Sequence, residues 1–345
     1  MKLHVKPMPT LAIIVNCYNY ENFVGRAITS VVSQDLRHCE FIVVDDGSTD
    51  DSWSTICSTG ARAVRKENGG QISACLYGLD RTSAPFVLFL DADDELLPGS
   101  IDTIIKHLDC SVAKLQYPLA IIDESGAATG HTFPSLSAGR ERGAYVDKVQ
   151  QTGLYISPPT SGNVFRRDVC EILRSADYDS AVDGAILFIA PFFGDIVTLD
   201  KPQGYYRVHG SNKSGVNGAV NANLILRQRD RFTGRVNHIK NVLTGMGLAD
   251  LIKDPKEMYF YRRCELYLAL LSKQRLNIGL IIDIIYKFPD DYSITRRIVS
   301  AVILGIAYLL PKEAGCFIAE TRYSSSRRPI FRLKSIRQAF DFRRQ

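Results

Sequence analysis

The sequence has no apolar run long enough to cross a lipid bilayer. Its longest uncharged apolar stretch, Ile298–Leu310, has 13 residues, whereas a transmembrane helix needs about 20. The first apolar run, Leu11–Val15, is too short for the hydrophobic part of a secretory signal. We therefore expect a cytoplasmic protein.

The sequence also lacks a recognisable cysteine motif. Its eight cysteines are scattered, with no C-x-x-C pair and no paired histidine spacing. Such spacing is required for most zinc sites and redox centres. We therefore expect buried free thiols in a reducing compartment, and neither disulfides nor a zinc site.

A strong excess of charge is absent from most of the chain. The net charge is +5, but residues 322–344 hold eight Lys/Arg and one acid, or +7, which leaves 5 − 7 = −2 elsewhere. Ile330, Leu333, Ile336 and Phe340 lie near one face of a helical projection of this tail. The pattern is typical of a helix on an anionic membrane surface, and equally of a solvated tail. No motif indicates a nucleic-acid partner.

Strands and helices alternate in the first part of the sequence. Four short predicted strands, Leu11–Val15, Phe41–Val44, Ala61–Arg65 and Phe86–Leu90, precede helical patterns that begin at Asn22, Asp50, Ile72 and Pro98. This order predicts an α/β fold with a doubly wound, mostly parallel sheet.

The second part has a different pattern. A longer strand is expected at Ala113–Ile122 with a return strand to Phe133, and shorter elements follow. The chain is expected to be helical from about Ala219 to Leu310. We predict a catalytic domain at 1–215, a helical region at 216–320 and a basic amphipathic tail at 321–345.

Polar clusters follow each of the first four predicted strands. They are "NCYNY", "DDGSTDD", "ENGG" and "DADDE". Because the carboxyl ends of parallel strands gather at one edge of a sheet, these clusters are expected to meet there. Two carboxylates spaced as Asp91 and Asp93 can converge on one hard cation such as Mg²⁺ or Mn²⁺. A solvated acidic turn is the alternative for that pair alone.

The clusters and their strands resemble a known family. The segments are "IIVNCYNYENFVGRAITSVVSQ", "FIVVDDGSTDDS", "KENGGQISACLYGL" and "FVLFLDADDELLPG". Together they resemble the nucleotide-sugar half of inverting glycosyltransferase family 2, which has the GT-A fold. The resemblance is close over residues 10–110, and "SGNVFRRDV", "VDGAILF" and "YYRVHGSN" extend it weakly to about 212.

The resemblance implies roles for several side chains on the donor side. Asp46 is expected to meet the nucleobase, with Asn16, Tyr18 and Asn68 lining the same pocket. Asp91 is expected to contact the ribose and to adjoin the metal, and Asp93 to hold the Mn²⁺ or Mg²⁺ ion. His209 is expected to be a third metal ligand or a diphosphate contact.

On the acceptor side, the resemblance implies that Asp183 is the general base, with Asp177 and Asp179 as rivals nearby. Asn163 and Asp94 are weaker candidates for contacts with the acceptor. Glu95 is expected only to sit in solvent.

One position departs from the family pattern. Many members carry an arginine in the helix after "NGG", where this chain has Cys75 followed by Leu76. The phosphate-facing cation is therefore either missing or supplied by Lys66 or Lys213.

The implied function is metal-dependent, inverting transfer of a sugar. The donor would be a nucleotide diphosphate-sugar, with UDP favoured, and the acceptor a saccharide or lipid-linked saccharide. Contact with the inner face of the membrane is expected through the tail, while the oligomeric state stays open. The alternative is a nucleotide-sugar-binding protein without catalysis. A nucleotidyltransferase is disfavoured, because no Gly-rich phosphate loop follows the first strand.

Overall fold

The computed structural model describes residues 8–178, 181–210, 212, 221–272, 274, 276–287 and 294–309. The chain divides into two compact units, Met1–Val149 with Leu154–Asn212, and Gln150–Gly153 with Lys213–Gln345. The predicted tail at 321–345 lies outside the described residues. The division at 215 and 320 therefore stays a prediction.

The first unit is an α/β fold, as predicted. Its strands are β1 (Leu11–Cys17), β2 (Cys39–Asp45), β3 (Ala63–Arg65), β4 (Phe86–Asp91), β5 (Glu95–Leu96), β6 (Val112–Gln116), β7 (Leu119–Asp123), β8 (Ala128–Phe133), β9 (Gly139–Glu141), β10 (Asn163–Arg166), β11 (Asp195–Thr198) and β12 (Gly204–Val208). Its helices are α1 (Val24–Val32), α2 (Ser52–Ser58), α3 (Gln71–Leu79), α4 (Ser100–Ile105), α6 (Arg167–Cys170), α7 (Val182–Ile186) and α8 (Ala190–Phe193), and α5 (Gly143–Thr152) continues into the second unit.

The eight-stranded main sheet has the order β3-β2-β1-β4-β10-β6-β11-β9. Strands β3, β2, β1 and β4 are parallel, β10 runs antiparallel to both of its neighbours, and β6 and β11 are parallel. All residues of Leu11–Val15 in β1 are fully buried. A continuous apolar run is what a central parallel strand needs, because both of its faces are covered.

A close approach fixes helix α3 against the main sheet. A Cβ atom at Gly78 would lie only 2.5 Å from Cγ2 of Ile14 in β1. Glycine is the residue that permits this separation. The spacing matters for the site, since α3 begins directly after the "ENGG" loop.

A second sheet of four strands, in the order β5-β12-β7-β8, adjoins the acidic loop. Strand β12 lies between β5, to which it is antiparallel, and β7, to which it is parallel. The short β5 begins at Glu95, immediately after the predicted metal-binding acids. The second sheet therefore brings β12, late in the sequence, to the end of β4.

Two local predictions were wrong. The predicted strand Ala113–Ile122 is two strands, β6 and β7, because the chain changes sheets at Tyr117 and Pro118, and proline has no N–H to donate to a ladder. Asn22 does not cap α1, which starts at Val24 without a side-chain cap.

The second unit is helical, but its helices are shorter than predicted. They are α9 (Ala222–Thr244), α10 (Tyr259–Leu271), α11 (Ile278–Tyr286) and α12 (Ile294–Leu309). Its core includes Ile225, Tyr267 and Ile284. Among the described residues, no helix combines the length and apolar character needed to span a bilayer.

The cysteines in the described part of the chain are free thiols. Five are buried, at positions 17, 39, 75, 170 and 264, whereas Cys57 and Cys110 are exposed. Burial raises the pKa of the Cys17 and Cys39 thiols to about 12. These two thiols are therefore protonated at neutral pH.

Candidate active site

The polar clusters after β1, β2 and β4 lie side by side at one edge of the main sheet. Strand pairing places Asn16 opposite Asp91, and Cys17 opposite Asp45. Strand β3 continues the edge, with Arg65 opposite Asp45. This is the edge at which ligands bind in open α/β sheets, so the strand order brings the predicted donor residues together.

Asp91 is held by side chains from strand β1 and from the start of helix α3. Its Oδ1 atom accepts hydrogen bonds from Nδ2 of Asn16 at 3.1 Å and from Nε2 of Gln71 at 2.7 Å. Its backbone N–H donates to Oγ of Ser161 at 3.1 Å. Gln71 also accepts from the N–H of Val182 at 3.4 Å. It thus connects Asp91 to the helix that carries Asp183.

Asp93 contacts the "HGSN" segment, as the family resemblance suggests. Nε2 of His209 lies 2.9 Å from Oδ2 of Asp93, and Nδ2 of Asn212 lies 3.3 Å from the same oxygen. His209 is buried, and its ring packs 4.7 Å from that of Phe23, centroid to centroid. The distant histidine and the second acid of the Asp-x-Asp pair therefore share one location.

Asp94 differs from its neighbours, because it is almost fully buried. Its exposed fraction is 1%, and its Oδ1 atom accepts from the backbone N–H of Arg207 at 3.0 Å. Burial, and then the nearby charges of Asp93 and Asp91, raise the pKa of this carboxyl well above its usual range. The position suits a structural acid better than a contact with the acceptor.

Glu95 does not simply sit in solvent, and that prediction was wrong. Its carboxylate pairs with the guanidinium of Arg207, which is fully buried. The partner was missed because it lies 112 positions away on β12. The sequence signal available for Arg207 was its place in "RVHGSN", where the spacing R-x-H-x-x-N sets it beside His209 and Asn212.

Asp46 is buried and already fully engaged by the "KENGG" loop. Its Oδ1 atom forms an ion pair with Nζ of Lys66 at 2.6 Å, and its Oδ2 atom accepts from the N–H of Gly70 at 2.7 Å. The N–H of Gly69 points at both oxygens, and Nδ2 of Asn68 donates to the backbone oxygen of Asp46 at 3.0 Å. The predicted base-binding residues thus form one connected cluster.

Helix α3 carries no cation at Cys75 or Leu76, the two positions at which the family pattern can place its arginine. Cys75 is fully buried, and burial raises the pKa of its thiol well above the usual range. Lys66, one predicted substitute, pairs with Asp46. Lys213, the other, lies outside the described residues.

Three further predicted residues have different outcomes. Tyr18 is half-buried beside the cluster, directly after β1. Asn163 is fully buried, and its amide donates to the carbonyls of Pro158 and Pro159 at 3.1 and 2.7 Å, so its contacts are structural. The side chain of Asp183 lies outside the described part of the chain, although its backbone belongs to α7, and its role as base stays a prediction.

The predicted metal ligands are Asp91, Asp93 and His209. Within the described ranges, no three His, Cys, Asp or Glu side chains are arranged as a ready ligand set. The chemistry of Asp91, Asp93 and His209 nevertheless fits Mn²⁺ or Mg²⁺, which take carboxylate oxygens and, for Mn²⁺, imidazole. These are the residues that would hold such an ion.

Known proteins are similar to this chain in the region that carries the predicted donor residues. Residues 12–168 match the family model described as Glycosyl transferase family 2. An uncharacterized glycosyltransferase of Nostoc sp. is 33% identical over 216 residues, which cover 59% of this chain and 66% of that protein. The GalNAc(5)-diNAcBac-PP-undecaprenol beta-1,3-glucosyltransferase of Campylobacter jejuni is 36% identical over 110 residues, or 29% of this chain and 34% of the relative. The chain therefore matches less than two thirds of these relatives.

Solved structures share the fold at low sequence identity. TarS 1–349 of S. aureus, crystallised with UDP-GlcNAc, has a TM-score of 0.51 and 14% identity, covering 87% of this chain and 91% of that one. The same protein in complex with UDP gives a TM-score of 0.52. The predicted GT-A fold is confirmed. The match to the family model and the glycosyltransferase relatives confirm the predicted resemblance to glycosyltransferase family 2, which covers residues 12–168.

Proposed function

We propose that the protein is a metal-dependent, inverting glycosyltransferase that uses a nucleotide diphosphate-sugar, with UDP as the nucleotide. One observation supports this proposal above all others. Asn16, Asp46, Asp91 and Asp93 lie at or just after the ends of three strands at one edge of the sheet, and His209 joins Asp93 from a distant segment. The arrangement supplies carboxylates for a ribose and a cation beside a polar cluster for a base.

The reaction needs a base for the acceptor and stabilisation for the leaving group. In our proposal, Asp183 takes the proton of the acceptor hydroxyl while the hydroxyl oxygen forms a bond to the anomeric carbon. The bond from that carbon to the diphosphate oxygen breaks, and its electron pair leaves with the diphosphate. A divalent cation held by Asp91, Asp93 and His209 would neutralise this charge when bound.

The position of α7 supports the assignment of Asp183. Gln71 links Asp91 to Val182, the residue before Asp183, so the proposed base lies on a helix tied to the donor loop. Asp177, the described rival, is exposed and precedes the helix. Attack by an acceptor activated from Asp183 would invert the anomeric centre.

The proposal is tested first by donor binding and turnover. Nucleoside diphosphates of uridine, thymidine and guanosine, and their sugars, are screened by thermal shift with Mn²⁺, because a ligand of the folded state raises the melting temperature. Asp93→Asn is expected to lower donor hydrolysis and transfer by about 100-fold or more. Asp102→Asn, on the exposed part of α4, is the matched control. Unchanged turnover in Asp93→Asn would contradict the proposal.

A second candidate is a nucleotide-sugar-binding protein without catalysis. The observation in its favour is that neither Cys75, which is fully buried, nor Leu76 supplies the cation that many family members have in this helix. Calorimetry with UDP and Mn²⁺, run beside a turnover assay over a broad acceptor panel, separates the two candidates. Binding without turnover would favour the second.

A lipid-linked acceptor is the acceptor class that we propose. The Campylobacter relative is named for an undecaprenol-linked substrate, and the second unit exposes apolar helix faces. Ile278, Ile282 and Tyr286 of α11 are 56%, 60% and 88% exposed. Because they recur at helical spacing, they form one outward stripe.

The charges around this stripe favour a membrane surface as its partner. Asp283, the single acid of α11, is paired with Arg262 and Lys287 at 3.2 and 2.7 Å. On α12, Ile298 and Val302 are also more than half exposed. The +7 segment at 322–344 follows in the sequence. Apolar contact and basic charge together supply the two signals that stable binding to anionic lipid needs.

A further inference from the structure

Arg207 on β12 is a charged side chain buried at the end of β4. It has no exposed surface, and an arginine is almost never fully buried unless it is paired. Its Nε atom donates to the backbone oxygen of Asp93 at 3.0 Å. Its other contacts in this loop are the backbone N–H bond to Asp94 and the ion pair with Glu95. Three successive acids are therefore held by one residue.

The same guanidinium also reaches the turn between β7 and β8. One of its terminal nitrogens, Nη1, donates to the carbonyl oxygens of Asp123 and Glu124, each at 3.2 Å. The face of the guanidinium lies 5.3 Å from the ring centroid of Phe23, close enough for a cation–π contact. Every side of the guanidinium therefore has a contact. Through it, Arg207 connects the acidic loop to the β7–β8 turn and to Phe23.

We propose that Arg207 is the positioning residue of the acidic loop, setting the backbone of Asp93 so that its carboxylate meets His209. The inference rests on the proposed function for its consequence in catalysis, but not for the clamp itself. A lysine could not replace the arginine, since a single ammonium lacks the planar fork that reaches the Asp93 carbonyl and the Glu95 carboxylate together.

The charge of Arg207 also explains how four acids are tolerated within Asp91–Glu95. Like charges in a partly buried loop repel one another. The buried cation offsets that repulsion from inside the protein, before any metal ion or donor binds. A cation of the chain itself therefore holds the backbone of this loop.

The first test uses a readout that does not depend on activity. Glu95→Gln removes the ion pair but leaves the bonds from Arg207 to the carbonyls. In ligand-free protein it is expected to speed amide hydrogen exchange across 93–96 by about 10-fold. Glu124→Gln is the matched control, because Arg207 contacts the carbonyl oxygen of Glu124 and the carboxylate is exposed. Equal exchange in both variants would overturn the proposal.

The second test separates positioning from general stability. Mutations behind metal ligands typically cost about 10–100-fold in metal affinity, so Glu95→Gln is expected to raise the Mn²⁺ concentration for half-maximal binding by about 10-fold. The KM for acceptor should be unchanged. Arg207→Lys should show a larger loss, and Arg207→Gln extends the series if it folds. An increase in the KM values for donor and acceptor without a change in Mn²⁺ affinity would overturn the proposal. If Glu95→Gln speeds exchange but the unmodified protein shows no turnover, only the proposed function is contradicted.

Discussion

Nε2 of His209 lies 2.9 Å from Oδ2 of Asp93, although 116 positions separate them in the chain. Strand β12 carries the histidine across the second sheet to the end of β4. This contact joins the Asp-x-Asp pair to a predicted site residue that lies far from it in the sequence. It also gives the first prediction.

Replacing His209 by alanine is expected to weaken metal binding. The imidazole is one of three proposed ligands, so we expect the Mn²⁺ concentration for half-maximal binding to rise by about 10–100-fold. Titration calorimetry with Mn²⁺ measures this change directly. His131→Ala, at an exposed position on β8, should bind Mn²⁺ as the unmodified protein does. Equal affinity in both variants would exclude His209 as a ligand.

Replacing Asp46 by alanine is expected to weaken nucleotide binding. The carboxylate holds the "KENGG" loop at the proposed base pocket by accepting from Lys66, Gly69 and Gly70. Hydrogen bonds to a charged group contribute about 1.5–3 kcal/mol each, and without them nucleotide binding must also order the loop. We therefore expect the Kd for UDP to rise by about 10–100-fold. Asp51→Ala, on the exposed part of the same loop, is the control. If both variants bind UDP equally well, Asp46 has no part in the donor site.

Adding a methyl group at Gly78 is expected to destabilise the first unit. The new Cβ would lie 2.5 Å from Ile14 in a fully buried contact, and overpacking of this kind costs about 1–3 kcal/mol. Gly78→Ala should therefore lower the melting temperature measured by circular dichroism. At Gly143 nothing lies within 4 Å of the added atom, so Gly143→Ala should melt with the unmodified protein. A lowered temperature in both would show that helix packing is not the cause.

The apolar stripe on α11 is expected to bind anionic vesicles. Ile282→Ser combined with Tyr286→Ser removes two exposed apolar side chains, and we expect about tenfold weaker co-sedimentation with vesicles of phosphatidylglycerol. Ile156→Ser, which is 54% exposed in the first unit, is the matched control. Phosphatidylcholine vesicles should bind weakly. Concentration-dependent dimerisation that the double variant abolishes would instead assign the stripe to a second copy of this chain.

The donor half of the site could be predicted from sequence, because local rules decide it. Each of β1, β2 and β4 is a buried apolar run that ends in a polar cluster, and parallel pairing aligns those ends. This regularity placed Asn16, Asp46, Asp91 and Asp93 at one edge of the sheet, whereas their proposed roles came from the family resemblance. The fold class and the strands β1, β2 and β4 were therefore predicted correctly.

The rest could not be read from the sequence, because it depends on where the chain turns between sheets. The predicted strand Ala113–Ile122 is divided at Tyr117 and Pro118 into strands of two different sheets. Only this division places β12 beside β5. The Gln71 bridge to Asp91 likewise depends on the approach of α3. Long-range contacts of this kind leave no periodic signal.

The sequence by itself determined that acidic side chains follow the strands and which kind of ligand suits them. Composition and spacing are local properties, and they fix the strand ends at which carboxylates accumulate. Only the tertiary structure decided what each acid does. Asp93 meets His209, Asp94 is buried, and Glu95 pairs with Arg207, because a second sheet delivers a buried cation to a loop that could not hold its own charges apart.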